Sequence, residues 1–306
     1  MTKEQYIKNL SRPKGKVDVF LDTDAAAEID DLYAIGYLMS NKEKFNVKGF
    51  GATMFSGWRA KGIKESMLDS YNEILKMLKL LKREDLSPLV FKGAHEYLPD
   101  EQTVVKSDSS EYMAKLADNY TIEKPLYIVA IGCITNVANA ILINPEMKEK
   151  TVVVWLGGHA QHMPDTKEYN MCQDYAAARV LFGCGVPLIQ LPCKGVVDKL
   201  SLSKPEIELW LKGRNDFCDY ISDLTIFLAE RYAKGMPWTR VIWDVTTLYW
   251  FADEGDKYLQ YDLRPAPLPT YDGRYEYPED SHLFGYVYNL ERDAIFNDLL
   301  KRLGEL

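Results

Sequence analysis

Four of the five aspartates in the segment VDVFLDTDAAAEIDDLYAI (17–35) lie close together: an apolar run ends in Asp22 and Asp24, and Asp30 and Asp31 open the next apolar stretch. Carboxylates this close repel one another unless a cation or a shared proton offsets their charge. An all-oxygen ligand set suits a hard cation. Aspartates also begin many helices, but that alternative explains only Asp30 and Asp31, because Asp22 and Asp24 end a strand. The segment therefore favours a metal site.

Two later segments could add ligands to such a site. The turn at 130–136 (AIGCITN) offers backbone carbonyls, which are good ligands for a hard cation. A plain strand-helix junction with Thr135 or Asn136 as N-cap explains the same turn. In RVIWD (240–244), Asp244 opens an apolar helix, so it is either a ligand or an N-cap. From the sequence alone, each of the two segments could either have a structural role or supply metal ligands.

A fourth segment could bind a sugar. In KEYN (167–170), Glu168 and Asn170 lie two positions apart, so in an extended strand both side chains point the same way. A carboxylate and an amide on one face suit the neighbouring hydroxyl groups of a sugar, although a surface loop could carry the same residues. Asp174 is expected to cap the helix that follows.

Composition excludes several classes of protein. A net charge of −8 argues against binding to nucleic acid, and no apolar run is long enough to span a bilayer. The polar N-terminus has no signal-peptide core, so a cytoplasmic protein is expected. The five cysteines lack CxxC spacing and predict reduced thiols, and the four scattered histidines disfavour a histidine-rich zinc site. His159 and His162 follow a strand end, so they are the two expected nearest a pocket.

Apolar strands alternate with helices or long connections over the first two-thirds of the chain. After the strand that begins at Val17, the pattern predicts strands at 46–54, 87–94, 124–132, 151–158 and 186–192, with a loop at 159–173. Such alternation indicates one α/β domain (1–306) with an open, Rossmann-like, mostly parallel sheet flanked by helices, and with a helical C-terminal part. Ligands of these folds bind at the carboxyl ends of the strands.

Taken together, these motifs resemble the nucleoside hydrolase family, the inosine-uridine-preferring type in the broad sense. The family's opening Asp-x-Asp and Asp-Asp are similar to Asp22-Thr23-Asp24 and Asp30-Asp31. The segments that resemble its later motifs are IVAIGCITNVANAILINP, VVVWLGG, KEYNMCQDYAAARVLF, VIWDVTTLYW and RDAIFNDLLKRL. They occur in the family's order over nearly the whole chain, which makes the resemblance fairly specific.

The resemblance implies hydrolysis of the N-glycosidic bond of a ribonucleoside, which yields ribose and a free base. It implies a Ca²⁺ ion held by Asp24, Asp31, the backbone carbonyl of Ile131 and Asp244, with Asp24 also acting as general base. The implied sugar contacts are Asp30 and Asn170 for the 2′- and 3′-hydroxyls and Glu168 for the 5′-hydroxyl. Asp22 is left to support the metal ligands without touching the ion. Members of the family are often dimers or tetramers, so a homo-oligomer is expected.

Three departures from the family pattern bear on activity and substrate. Five residues (25–29) separate the aspartate pairs where the family usually has three, and Glu28 in this widened turn could touch the metal shell or the substrate. Ser56-Gly57-Trp58 stands where the family has an asparagine after its second strand, which leaves one sugar contact in doubt. Trp243 replaces a histidine that protonates the leaving base in some members.

Trp243 resembles the purine-specific branch, where aromatic stacking raises the basicity of the base. We therefore expect a preference for purines, with Trp243 as one stacking face and Trp58, Tyr97 or His162 as the other. Two alternatives to the hydrolase stay open. Asp22-x-Asp24 after a strand also fits a haloacid-dehalogenase-like phosphatase, and the departures fit a ribose- or metal-binding relative that has lost catalysis.

Overall fold

The computed structural model describes residues 1–306. Its strands are β1 (Val17–Thr23), β2 (Phe45–Ala52), β3 (Val90–Lys92), β4 (Leu126–Ala130), β5 (Thr151–Leu156), β6 (Leu188–Leu191), β7 (Ser201–Ser203), β8 (Thr239–Val241), β9 (Leu259–Pro265), β10 (Leu268–Pro269), β11 (Tyr275–Glu276) and β12 (Leu283–Leu290). Eight of them form one sheet in the order β3-β2-β1-β4-β5-β6-β12-β9. Within it only β9 runs antiparallel to its neighbour. The predicted mostly parallel α/β sheet is confirmed.

Helices cover both faces of the sheet. They are α1 (Lys3–Asn9), α2 (Asp30–Ser40), α3 (Ile63–Leu80), α4 (Asp108–Leu116), α5 (Thr135–Ile143), α6 (Met147–Lys150), α7 (Tyr169–Gln173), α8 (Tyr175–Gly183), α9 (Lys204–Trp210), α10 (Asp216–Ala233), α11 (Val245–Ala252) and α12 (Arg292–Gly304). Three short 3₁₀ helices lie at Glu84–Leu89, Ala117–Asn119 and Val197–Lys199. No helix is long and apolar enough to cross a membrane.

The central strands are buried over their full length, as expected for strands with helices on both faces. Every residue of β4, β5 and β6 is buried, which explains why these strands are continuous apolar runs without alternation. The strand expected at 87–94 is shorter than predicted. Residues Glu84–Leu89 form a 3₁₀ helix, because Pro88 has no N–H group to donate to a sheet ladder.

The helical C-terminal part returns to the same edge of the sheet as the strand ends. β7 and β8 form a two-stranded antiparallel sheet, although α9 and α10 lie between them in the chain. β8 leads into Ile242, whose N–H donates to the carbonyl of Leu200 at 2.9 Å. Ile242 is fully buried, and α11 starts three residues later. This anchor brings Trp243 and Asp244 beside the ends of β1 and β4.

Candidate active site

A cavity of about 380 Å³ lies at the carboxyl ends of β1, β4, β5 and β6. All eight site residues predicted from the sequence line it: Asp24, Asp30, Asp31, Ile131, Glu168, Asn170, Trp243 and Asp244. The end of a parallel sheet is where such folds bind ligands. Segments that are far apart in the chain therefore line one cavity, as the motifs predict.

The turn after β1 presents the first three carboxylates. Ala27 donates its N–H to the carbonyl of Asp24 at 2.6 Å, which folds the chain back towards α2. Asp30 and Asp31 form the first turn of α2, and no side chain caps that helix. The Thr23 hydroxyl donates to Asp31. The three carboxylates are buried against the cavity floor instead of facing solvent.

Asp244 completes the acidic cluster from the other end of the chain. It lies at the N-cap of α11, yet its side chain makes no capping hydrogen bond. Single carboxylate oxygens of Asp30, Asp31 and Asp244 lie within 4.8 Å of one another. Asp24 lines the same cavity outside this closest trio. The capping alternative for Asp244 therefore lacks its hydrogen bond, and the carboxylate takes part in the cluster.

The cluster carries uncompensated charge. Burial raises the pKa values of Asp24, Asp30 and Asp244, and repulsion from the neighbouring aspartates raises them further. Burial also raises the pKa of Asp31 to about 7, although the hydrogen bond from Thr23 opposes the rise. Buried carboxylates need protons or a cation, and this donor set of oxygens fits a hard divalent cation.

Asp22 lies beneath the cluster and does not line the cavity. Its carboxylate accepts a hydrogen bond from Asn136 at 2.9 Å, and the Asn136 amide oxygen in turn accepts from the N–H of Ala94 at 2.8 Å. Burial raises the pKa of Asp22 to about 7. Asp22 thus joins β1 to α5 and stays behind the site, which fits the supporting role expected for it.

Gly132 lets the turn after β4 approach Asp24. A Cβ at this position would lie 2.9 Å from Asp24 Oδ1 and 2.5 Å from Thr53 Cγ2, closer than packed atoms tolerate. We expect Gly132→Ala to lower the free energy of unfolding by about 1–3 kcal/mol and to reduce catalysis by displacing Asp24. Gly183→Ala is the matched control, since its Cβ would meet only Leu268 at 3.7 Å. Equal stability and activity of the two variants would contradict the close approach.

Glu168 and Asn170, the pair expected to bind a sugar, lie at the start of a short helix and not on the extended loop that the sequence predicts. Glu168 caps α7 and accepts N–H groups from Gly158 at 2.8 Å, Asn170 at 2.9 Å and Met171 at 3.0 Å. The Asn170 amide donates to the carbonyls of Leu156 at 3.0 Å and Ile131 at 3.3 Å. These bonds fix both side chains in the cavity wall.

Asp174, predicted as an N-cap, accepts the N–H of Ala177 at 2.9 Å and caps α8. The residues proposed to cap α5 have other tasks: Thr135 donates to Asp174 at 2.6 Å, and Asn136 bonds to Asp22. Position 134, an isoleucine, occupies that N-cap without a side-chain bond. The turn 130–136 is therefore more than a capped junction, because its side chains tie the strand ends together beneath the cavity.

Aromatic side chains surround the cavity mouth. Of the three candidates for a second stacking face, Trp58 lines the cavity with Trp243, while Tyr97 and His162 do not. Tyr169 also lines it and donates its hydroxyl to the carbonyl of Ser56. Sequence reasoning passed over Tyr169, although its position inside the KEYN motif was a usable signal. His159 lines the cavity as expected.

The widened turn 25–29 is held by two arginines. Arg59 donates to the carbonyl of Ala27 at 3.0 Å, and Arg240 donates to Glu28 at 2.7 Å. Tyr232 donates to the other oxygen of Glu28 at 3.0 Å. Both arginines line the cavity, and the sequence reasoning assigned neither a role, because these pairings are long-range.

The fold and the site define a class: an α/β domain with a buried carboxylate cluster and a ligand cavity at the carboxyl edge of its sheet. The family model described as inosine-uridine preferring nucleoside hydrolase matches residues 19–269. The chain belongs to this family, as its motifs indicate. The phosphatase alternative is thereby set aside.

Individual relatives agree with the family. A probable ribonucleoside hydrolase of Dictyostelium discoideum is 30% identical over 129 residues, which cover 40% of this chain and 38% of that protein. A plant nucleoside hydrolase structure superposes with a TM-score of 0.75 at 19% identity, covering 95% of this chain and 99% of the other. A purine-preferring ribonucleoside hydrolase from Gardnerella vaginalis gives a TM-score of 0.72 at 18% identity, covering 94% and 98%. The structural matches show the shared fold.

Proposed function

We propose that this protein hydrolyses the N-glycosidic bond of ribonucleosides to ribose and a free base. The observation that carries the proposal is the buried trio of Asp30, Asp31 and Asp244, with oxygens within 4.8 Å, in the floor of a cavity large enough for a nucleoside. Family membership supplies the reaction type. The aromatic rim suits a base, and the carboxylate and amide groups on the wall suit a sugar.

The proposed cation is Ca²⁺, held by Asp24, Asp31, the carbonyl of Ile131 and Asp244. Several observations support a cation in this place: the ligands are oxygen groups, the carboxylates repel one another, and Asp24 Oδ2 is buried without a hydrogen-bond partner. When bound, such an ion supplies Lewis-acid polarisation of water. Because Asp30 belongs to the closest trio, it borders both the cation and the proposed 2′-hydroxyl position.

The chain's own residues have separate tasks in the proposed mechanism. Asp24 takes the proton of the attacking water as the C1′–N bond breaks. Asp30 and Asn170 hold the ribose 2′- and 3′-hydroxyls, and Glu168 holds the 5′-hydroxyl through a carboxylate fixed by three N–H groups. Trp243 stacks on the base. Hydrogen bonds to the sugar that tighten in the oxocarbenium-like transition state lower the barrier.

The direct test is a panel of inosine, adenosine and uridine, assayed by release of reducing sugar with Ca²⁺ and with a chelator. We expect turnover with Ca²⁺ alone, and faster turnover of the two purine nucleosides, since a purine offers the larger stacking surface to Trp243. Faster turnover of uridine would contradict the proposed purine preference but would still support hydrolysis of the N-glycosidic bond. No turnover of any nucleoside would favour a binding protein descended from a hydrolase.

A further inference from the structure

No histidine directly precedes Asp244 in the chain to protonate the leaving base. The residue before Asp244 is Trp243, and an indole is not an acid of useful strength. The one histidine that lines the cavity, His159, follows Gly158, whose N–H binds Glu168 on the sugar side. Burial lowers the pKa of His159, and the nearby charge of Lys194 lowers it further. His159 thus lies next in the chain to a residue that binds Glu168, and the lowered pKa disfavours its protonated form.

Arg240 is a cationic group close in the chain to the stacking residue Trp243. It lines the cavity three residues before Trp243. Its Nη2 donates to Glu28 at 2.7 Å, while its Nε is buried without a hydrogen-bond partner. Asp30, the proposed 2′-hydroxyl contact, lines the same cavity. An arginine with an unused N–H donor in a partly buried wall needs an acceptor.

The widened turn fixes the position of the Arg240 guanidinium. The two oxygens of Glu28 accept from Arg240 and from Tyr232, and the Tyr232 ring lies 5.0 Å from the guanidinium carbon. Trp58 donates its indole N–H to Tyr232 at 2.6 Å. The guanidinium of Arg240 thus donates through Nη2 to Glu28 and stacks on the ring of Tyr232, while its Nε has no hydrogen-bond partner. The widened turn is long enough for Glu28 to reach Arg240.

We infer that Arg240 is a catalytic residue that stabilises the leaving base by donating a hydrogen bond to it, and that Glu28 is its positioning residue. The inference rests on the proposed function. Water adds to C1′ while the C1′–N bond breaks, Asp24 takes the proton from the water, and the electron pair of the bond moves onto the base. Arg240 keeps its proton and stabilises the negative charge. The base then takes a proton from solvent, to which Asp24 releases its own.

The test compares a poor and a good leaving group. Inosine requires stabilisation of the departing base, whereas p-nitrophenyl riboside releases a phenolate that is a stable anion without help. We expect Arg240→Gln to lower kcat for inosine about 100-fold, as removal of one donor to a developing anion does, and to change kcat for p-nitrophenyl riboside far less. Glu28→Gln should show the same selectivity with a smaller loss, because the neutral amide orients Arg240 less firmly.

Arg231→Gln is the matched control, since Arg231 lies beside Tyr232, stacks on Trp58 at 4.7 Å and does not line the cavity. It should leave both substrates unchanged. If Arg240→Gln lowered kcat equally for both substrates, the inference would be overturned, and Arg240 would only stabilise the conformation of the turn. An inosine-selective loss in His159→Gln instead would assign the role to the histidine. Failure of the wild type to cleave either riboside would refute the proposed function itself.

Discussion

Asp24→Asn is expected to lower reducing-sugar release from inosine by about 10³-fold, within the range that general-base catalysis supplies. The substitution keeps the shape of the side chain and removes its ability to take a proton. In the structure Asp24 Oδ2 is buried in the cavity floor and accepts no hydrogen bond. A buried carboxylate oxygen with no partner in the protein is available for the proton of an attacking water.

Stability and activity should separate in this variant. Burial raises the pKa of Asp24, and repulsion from Asp31 and Asp30 raises it further. A neutral amide removes both costs, so the melting temperature of the metal-free protein should be equal or higher. Asp22→Asn makes the same chemical change two residues earlier, outside the cavity, and should cost far less activity. If Asp24→Asn kept activity within tenfold of wild type, or if both variants lost activity equally, Asp24 would not be the general base.

The sequence was sufficient to predict which residues meet in the cavity because most of them follow strand ends or begin helices. The apolar run before Asp24 and the apolar helix after Asp244 each predict where a carboxylate emerges, and parallel strands bring such positions to one edge. The predicted eight residues do share one cavity. These residues could be predicted because a buried strand, a short turn and the start of a helix are each recognisable from a short stretch of sequence, without knowledge of what they pack against.

Contacts between distant segments could not be predicted in the same way. The pairing of Glu28 with Arg240 joins residues 212 positions apart, and the bond from Trp58 to Tyr232 spans 174. Neither pair has a periodic pattern, because the first joins the turn after β1 to β8 and the second joins the loop after β2 to the end of α10. The short helix α7 was missed for another reason: its cap is Glu168, whose three N–H partners include Gly158 from a separate strand end.

Removing divalent cations should destabilise the protein, and the loss should grow as pH rises. In the metal-free folded state the pKa values of Asp24, Asp30 and Asp244 are raised by burial and repulsion, and that of Asp31 rises to about 7. The unfolded values lie near about 3.9. Between the unfolded value and each raised folded value the folded state binds more protons, so its free energy of unfolding falls as pH rises through that range. For Asp31 the range runs from about 4 to about 7.

A bound cation replaces those protons, so protons and cation compete. With Ca²⁺ at 100 times its Kd, the stabilisation at pH 7.5 is about 2.7 kcal/mol, or about 5 °C in melting temperature for a chain of this size. At pH 5.5 the same Ca²⁺ should stabilise less. The measurement is a thermal melt with Ca²⁺ and with chelator at both pH values, together with elemental analysis of the purified protein.

Asp244→Asn should abolish the Ca²⁺ effect and, without metal at pH 7.5, should melt higher than the metal-free wild type because one repelling carboxylate is gone. Asp293→Asn is the matched control, since Asp293 also lies in the first turn of a helix but is exposed. It should keep the full Ca²⁺ effect. If chelation left the wild-type melting temperature unchanged and no metal were found, the proposed cation would be contradicted. The negative charge of the carboxylate cluster would then be offset by protons alone.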